Sequence, residues 1–249
     1  DKSLRGPEDV RKALSTPVLG VLPKDPSPLR LGRGAQTEVE ERLRAARTNV
    51  LHALSHGARQ VVVVTSAGPR EGASTTAAGL ARVLALSGHR VVLVGGDLRS
   101  PSAVGAPGAP GLAEVLVGTA RLSQVLVEGE VPGLELLPAG DMPGNPSELL
   151  GGRNMSDLLH HLAADRIVII DAPPVCRFTD AVVLAEYAGG VLLVARAGRT
   201  SAEELREAAL AVGQGGGHIL GVVLTNVSDL GRGSRSAQTA VTHAESATV

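Results

Sequence analysis

The chain has 249 residues, 43% of them hydrophobic but only 1% aromatic, and 24 basic against 25 acidic residues leave a net charge of −1. There is no charge excess to argue for a nucleic-acid partner, and one Tyr, one Phe and no Trp leave almost no base-stacking platform. A single cysteine, Cys176, excludes an internal disulfide framework and suits a reducing compartment, and no signal peptide or apolar run of ~18–20 residues is present.

Residues 1–35 are rich in Pro, Gly and charge and read as a linker, broken by the apolar island Pro17-Val18-Leu19-Gly20-Val21-Leu22-Pro23. A helix is expected over 38–55, carrying Leu43, Val50, Leu51 and Leu54, with Gly57 to stop it. Short apolar runs then recur at 61–65, 91–94, 134–137, 167–170, 191–195 and 219–224. Helical stretches separate most of them, at 74–87, 112–117, 154–163, 179–187 and 201–213. Apolar strands alternating with helices predict an α/β domain over 36–228, a parallel sheet of the P-loop NTPase type with helices on both faces. From about 229 to 249 the chain has no apolar periodicity and is expected to be a disordered tail.

The first of these strands runs into Ser66-Ala67-Gly68-Pro69-Arg70-Glu71-Gly72-Ala73-Ser74-Thr75. A glycine-containing turn between a strand and a helix N-terminus gathers backbone N–H groups and favours an anion. The alternative is an ordinary strand-to-helix turn capped by Ser74 or Thr75. A Walker A loop needs a Lys directly after its second Gly, with Ser or Thr next to hold Mg²⁺. Here Gly72 is followed by Ala73 and then Ser74, and no lysine occurs after Lys24. Asp97 and Asp171 each follow an apolar run, at the strand ends where ligands of parallel sheets bind. With Ser74 they form a candidate Mg²⁺ site, a helix N-cap being the alternative for each carboxylate.

Taken together, these segments resemble the bacterial tyrosine kinases that govern polysaccharide export, a branch of the MinD/ParA-like P-loop ATPases. The family loop reads roughly SxxPGEGKSTTAxNLA, where this chain has SAGPREGASTTAAGLA, with Arg70 for Gly, Ala73 for Lys and Gly79 for Asn. The family's DxDxRxP becomes Gly95-Gly96-Asp97-Leu98-Arg99-Ser100-Pro101, and Ile169-Ile170-Asp171-Ala172-Pro173-Pro174 is intact. Residues 7–23 look like the juxtamembrane stretch that joins such kinases to a transmembrane chain-length-determinant domain. Glu41, Arg44 and Arg47 match an ExxRxxRTN oligomerisation helix. The segments from Gly140 to Leu150 and Thr179-Asp180-Ala181 match further motifs, and Asn226 falls where related ATPases contact adenine.

The resemblance implies ATP or ADP binding by Gly68, Arg70, Glu71, Gly72, Ser74, Thr75 and Asn226, metal binding by Ser74, Asp97 and Asp171, and chemistry by Asp97 and Asp171. It also implies self-association through Glu41, Arg44 and Arg47, and a place at the cytoplasmic face of the membrane. The departures at Ala73 and Gly95, and a tail without tyrosine, lead us to expect a regulatory domain whose nucleotide binding and catalysis are weak or absent. The alternatives are an active kinase acting in trans, and a MinD/ParA-like positioning ATPase. The last would use a further lysine early in the loop, where this chain has Gly68. Arg70 has two readings, a replacement cation or a solvated loop residue. Cys176 is expected to be a small buried thiol, His160-His161 a solvated helix end, and Tyr187 part of an apolar helix rather than a phosphorylation site.

Overall fold

The computed structural model describes residues 3–24, 38–55, 59–100, 104–106 and 108–228. The strands are β1 (Val18–Pro23), β2 (Val61–Ser66), β3 (Val91–Gly95), β4 (Val127–Glu128), β5 (Leu134–Leu137), β6 (Ile167–Asp171), β7 (Gly190–Arg196) and β8 (Ile219–Val227). They form a single sheet in the order β1-β8-β7-β2-β6-β3-β5-β4. Every pairing is parallel except the short β4–β5 edge. The helices are α1 (Pro7–Ala13), α2 (Glu38–Leu54), α3 (Ala73–Leu86), α4 (Leu112–Val117), α5 (Leu122–Val125), α6 (Pro146–Leu150), α7 (Arg153–Ala163), α8 (Asp180–Ala185) and α9 (Ala202–Gln214).

The sheet divides two hydrophobic cores, and alternate residues of each central strand enter one or the other. Val61, Val63, Val168, Ile170, Val191 and Leu193 face the core under α1, α4, α7, α8 and α9. Val62, Val64, Ile169, Leu192 and Val194 face the core under α2 and α3. Each such side chain taken from water contributes about 1.5–3 kcal/mol, so strands buried on both faces read as unbroken aliphatic runs. On the second face α2 lies close against α3. A glycine eases the approach, because a Cβ at Gly79 would meet Leu43 Cδ1 at 2.6 Å and the leucine would have to move.

Reading residues 1–35 as a linker does not hold for the described residues 7–23. Pro7–Ala13 forms α1, with Val10 fully buried, and Val18–Pro23 pairs parallel with β8 at the sheet edge. Leu19 and Leu22 turn into the core beneath α2. An edge strand tolerates the bounding prolines because its outer N–H groups have no ladder partner. The last helix before β7 is shorter than the expected 179–187, ending at Ala185. Tyr187 follows in a turn, packed against the core with its hydroxyl donating to the Gly151 carbonyl at 2.7 Å. The expected tail at 229–249 and the stop at Gly57 lie outside the described residues. Among the described residues no helix is long and apolar enough to cross a membrane.

Candidate functional site: a phosphate-type loop between two strand ends

β2 is central, between β7 and β6, and its carboxyl end opens into the loop that starts α3. Gly72 takes φ of 100°, a left-handed conformation that turns the chain into the helix, and no side chain caps the first amides of α3. Arg70 also takes a left-handed φ of 60°. For a residue with a Cβ this conformation is uncommon and strained.

On the β6 and β3 side the loop faces three of the expected residues. Asp171 closes β6 and is only 2% exposed. The neighbouring Ser74 side chain favours the ionised form of this carboxyl, but its Oδ1 has no hydrogen-bond partner. Burial is the main cause that lifts this carboxyl to about 7, with the nearby Asp97 charge adding to it. Asp97 is half-buried, and its Oδ1 accepts from the Arg99 and Ser100 amides at 3.1 Å each. Burial raises its pKa too, ahead of the lowering by those two amides. Gly95 lies opposite Asp171 in the β3–β6 register. The missing aspartate cannot simply be put back there, since a Cβ at Gly95 would sit 2.8 Å from the Ala139 backbone nitrogen.

A buried carboxylate oxygen without a partner, a second carboxyl raised by burial and an exposed serine hydroxyl on the same loop fit a Mg²⁺ ion shared with a phosphate. They do not make a complete protein cage, and no cluster of three or more His, Cys, Asp or Glu among the described residues could hold a metal by itself. The phosphate side fits less well. Ala73 is nearly buried in the α3 core face and offers no charge. Arg70 is exposed, with its backbone carbonyl held by the Arg196 guanidinium at 3.1 Å.

The β7 and β8 side of the loop is built differently. Glu71 is 3% exposed; its Oε2 accepts from the Gly68 amide at 3.1 Å and its Oε1 from the Thr200 hydroxyl at 2.7 Å. The Thr225 hydroxyl donates to the Glu71 carbonyl at 2.7 Å. Asn226, also at a left-handed φ of 60°, spends its side-chain amide on the Ala197 carbonyl at 3.1 Å. Thr75 is exposed on the first turn of α3.

A third set of contacts joins three segments whose motifs stand far apart in the chain. Arg99 forks onto the fully buried Asp180 with Nε at 2.8 Å and Nη2 at 3.2 Å. Ser147 donates to the same carboxylate, and the Arg99 guanidinium lies 4.6 Å from the centre of the Phe178 ring. This bidentate pair ties the segment after β3 to α6 and α8.

Other expectations fall outside the crevice. Glu41, Arg44 and Arg47 lie on α2: Arg44 pairs with Glu40 at 2.9 Å and with Glu41, and Arg47 reaches the Val83 carbonyl at 3.5 Å. His160 and His161 are exposed, as expected. Cys176 is not a buried thiol. It is exposed in the turn after Pro173-Pro174, and partial desolvation with nearby carboxylates raises its pKa rather than activating it. A cavity of about 420 Å³ lined by Val61, Asp157, His160 and Tyr187 opens at the amino end of the sheet. The polar groups collect at the other end, where parallel sheets place ligands.

Sequence reading missed Thr200, Thr225 and Arg196. The available signal was position: each sits at or just beyond the carboxyl end of β7 or β8, next to the loop in the sheet order.

No protein-family model matches the chain. Tyrosine-protein kinase YwqD of Bacillus subtilis is 36% identical over 188 residues, which is 74% of this chain and 79% of that protein. Tyrosine-protein kinase Ptk of Acinetobacter johnsonii is 34% identical over 191 residues, 75% of this chain but only 26% of its relative's length. The solved kinase domain of Escherichia coli tyrosine kinase ETK superposes with a TM-score of 0.83 at 27% identity, covering 92% of this chain and 96% of that one. The strand order, the phosphate-type loop and these likenesses agree, and the chain belongs to the bacterial tyrosine-protein kinase family.

Proposed function

We propose that this is the kinase-type domain of a polysaccharide polymerisation and export system, one that has lost most of its catalytic power and acts as a self-associating regulatory part at the inner face of the membrane. The observation that carries this reading is the closed space at Gly95, where the Ala139 backbone occupies the room a Cβ would need. Together with Ala73 in the lysine position, it removes a cation and a carboxylate from one transition state. Phosphoryl transfer depends on such charges, and losing one typically costs about 10²–10³ in rate.

Ser74, Asp97 and Asp171 would hold Mg²⁺, and the amides of Gly72 to Thr75 would meet the phosphates. The ion would supply the positive charge that the loop no longer provides. Asn226 would meet the base with the amide groups that its bond to the Ala197 carbonyl leaves over. Self-association through α2 would likewise trade the pairs Arg44 makes with Glu40 and Glu41 for pairs with a neighbouring subunit.

The test is phosphate release and phosphotyrosine formation by the unmodified protein, assembled with its membrane partner. Negligible turnover is expected, with nucleotide affinity raised by Ala73→Lys. Turnover like that of an ordinary kinase, abolished by Asp171→Asn, would overturn the proposal and make the exposed Arg70 the first residue to examine.

A further inference from the structure

The segment after β6 ties down the start of the loop, with the Thr65 hydroxyl donating to the Pro173 carbonyl and the Val175 amide to the Ser66 carbonyl, whereas the β7 and β8 side grips residues 68–71. The grip runs in a fixed donor direction. The Arg196 amide donates to the Thr200 hydroxyl at 2.8 Å, so that hydroxyl directs its own proton to Glu71 Oε1. Glu71 Oε2 accepts from the Gly68 amide, and the Thr225 hydroxyl donates to the Glu71 carbonyl. Thr200 is completely buried. Its backbone is pinned by the N-terminal segment, where the Leu4 amide donates to the Thr200 carbonyl at 2.8 Å and the Leu4 carbonyl accepts from Gly198 at 2.8 Å.

A buried carboxylate beside an anion-binding loop is unfavourable unless it has work to do there. Burial pushes the Glu71 carboxyl up, and Thr200 and Gly68 are the two groups that most oppose this. We infer that Glu71 and Thr200 are positioning residues for the phosphate loop: the Thr200 hydroxyl orients Glu71, and Glu71 holds the Gly68 amide so that the 68–72 turn keeps the shape a phosphate requires. This deepens the nucleotide reading above and rests on it for the identity of the ligand. Beside the brace, the left-handed Gly72 packs against Thr225, with 3.3 Å from a would-be Cβ to Thr225 Cγ2.

The experiment compares wild type, Thr200→Val, Thr200→Ser and Glu71→Gln by amide hydrogen exchange and by calorimetric titration with Mg-ADP. Valine keeps the shape and removes the relay. Serine restores the hydroxyl. Glutamine sets an amide donor against one of the two donors that Glu71 accepts. Exchange over residues 66–72 should rise about tenfold in Thr200→Val and Glu71→Gln, as losing a hydrogen bond to a charged group implies. The Kd for Mg-ADP should rise by a similar factor, and Thr200→Ser should restore both. Amides of β2 and β7 should stay protected, which separates loop shape from loss of fold. Unchanged loop exchange in both variants overturns the inference, and so does faster exchange with an unchanged Kd. If the wild type binds no Mg-ADP while the variants loosen the loop and serine restores it, the brace stands and the nucleotide reading falls.

Discussion

Asp171 gives the most direct handle on the site, because its burial predicts a pH-dependent cost. A carboxyl with an ordinary pKa of 3.8 is held at about 7 in the folded chain. Between those values the folded state binds the proton that the unfolded state has released, so stability falls as pH rises, and levels off above about 7. From pH 5 to 8 the group crosses about two of those pH units. At about 1.4 kcal/mol per unit that is about 2–3 kcal/mol. Asn at this position keeps the shape of the protonated acid and carries no charge to bury. Asp171→Asn should therefore lie close to wild type at pH 5 and pull ahead at pH 8, by about 5–10 °C in Tm for a chain of this size. Thermal melts in magnesium-free buffer at the two pH values test this. A gap that is the same at both would refute the reasoning, since it would place the carboxyl's titration outside that range.

Three further outcomes follow from packing and pairing. Leu22→Ala in β1 should cost about 2–5 kcal/mol in urea unfolding, whereas a true linker residue would change stability by less than about 0.5 kcal/mol. Gly79→Asn, which restores the residue of the family pattern, should cost about 1–3 kcal/mol by overpacking Leu43. Adding Leu43→Ala should recover part of that loss, which a double-mutant cycle would show. Asp180→Asn should lose about 1.5–3 kcal/mol, because it replaces a charge-assisted fork from Arg99 with a weaker contact. Loss of the Arg99 contact with Phe178 should accompany it, seen as altered ring resonances of the single phenylalanine.

Much of the fold was legible because the central strands are buried on both faces, and burial selects the Val, Leu and Ile runs at 61–65, 91–94, 167–170 and 191–195. β4 was not legible, since Val127 and Glu128 are both exposed and carry no pattern. β1 was hidden by its prolines, which mark a turn in isolation and an edge strand only once β8 lies beside it. In the site, Ser74 could be placed from the strand-loop-helix signature and Asp171 from its position at the end of an apolar strand, and the structure brings them close together. The role of Asp180 could not be read, because its partner Arg99 stands 81 residues away. Glu71 was named as a loop residue, but its buried setting depends on Thr200, beyond the end of β7, and Thr225 in β8, a residue type with no chemical signature of its own.

The pairing of β1 with β8 brings the first strand of the described residues against the last, with Val18 opposite Val222. On a ribosome the chain emerges from its amino end, so Leu19 and Leu22 would wait exposed until nearly all of the described chain had been synthesised. Contacts of such long sequence separation slow folding, and unpaired apolar strands invite association with other chains. The same pairing makes β1 a late-closing seam. Because Leu4 grips the Thr200 backbone at the end of β7, closing that seam also completes the support of the phosphate loop. A newly made chain would thus acquire an organised loop only after β1 had met β8.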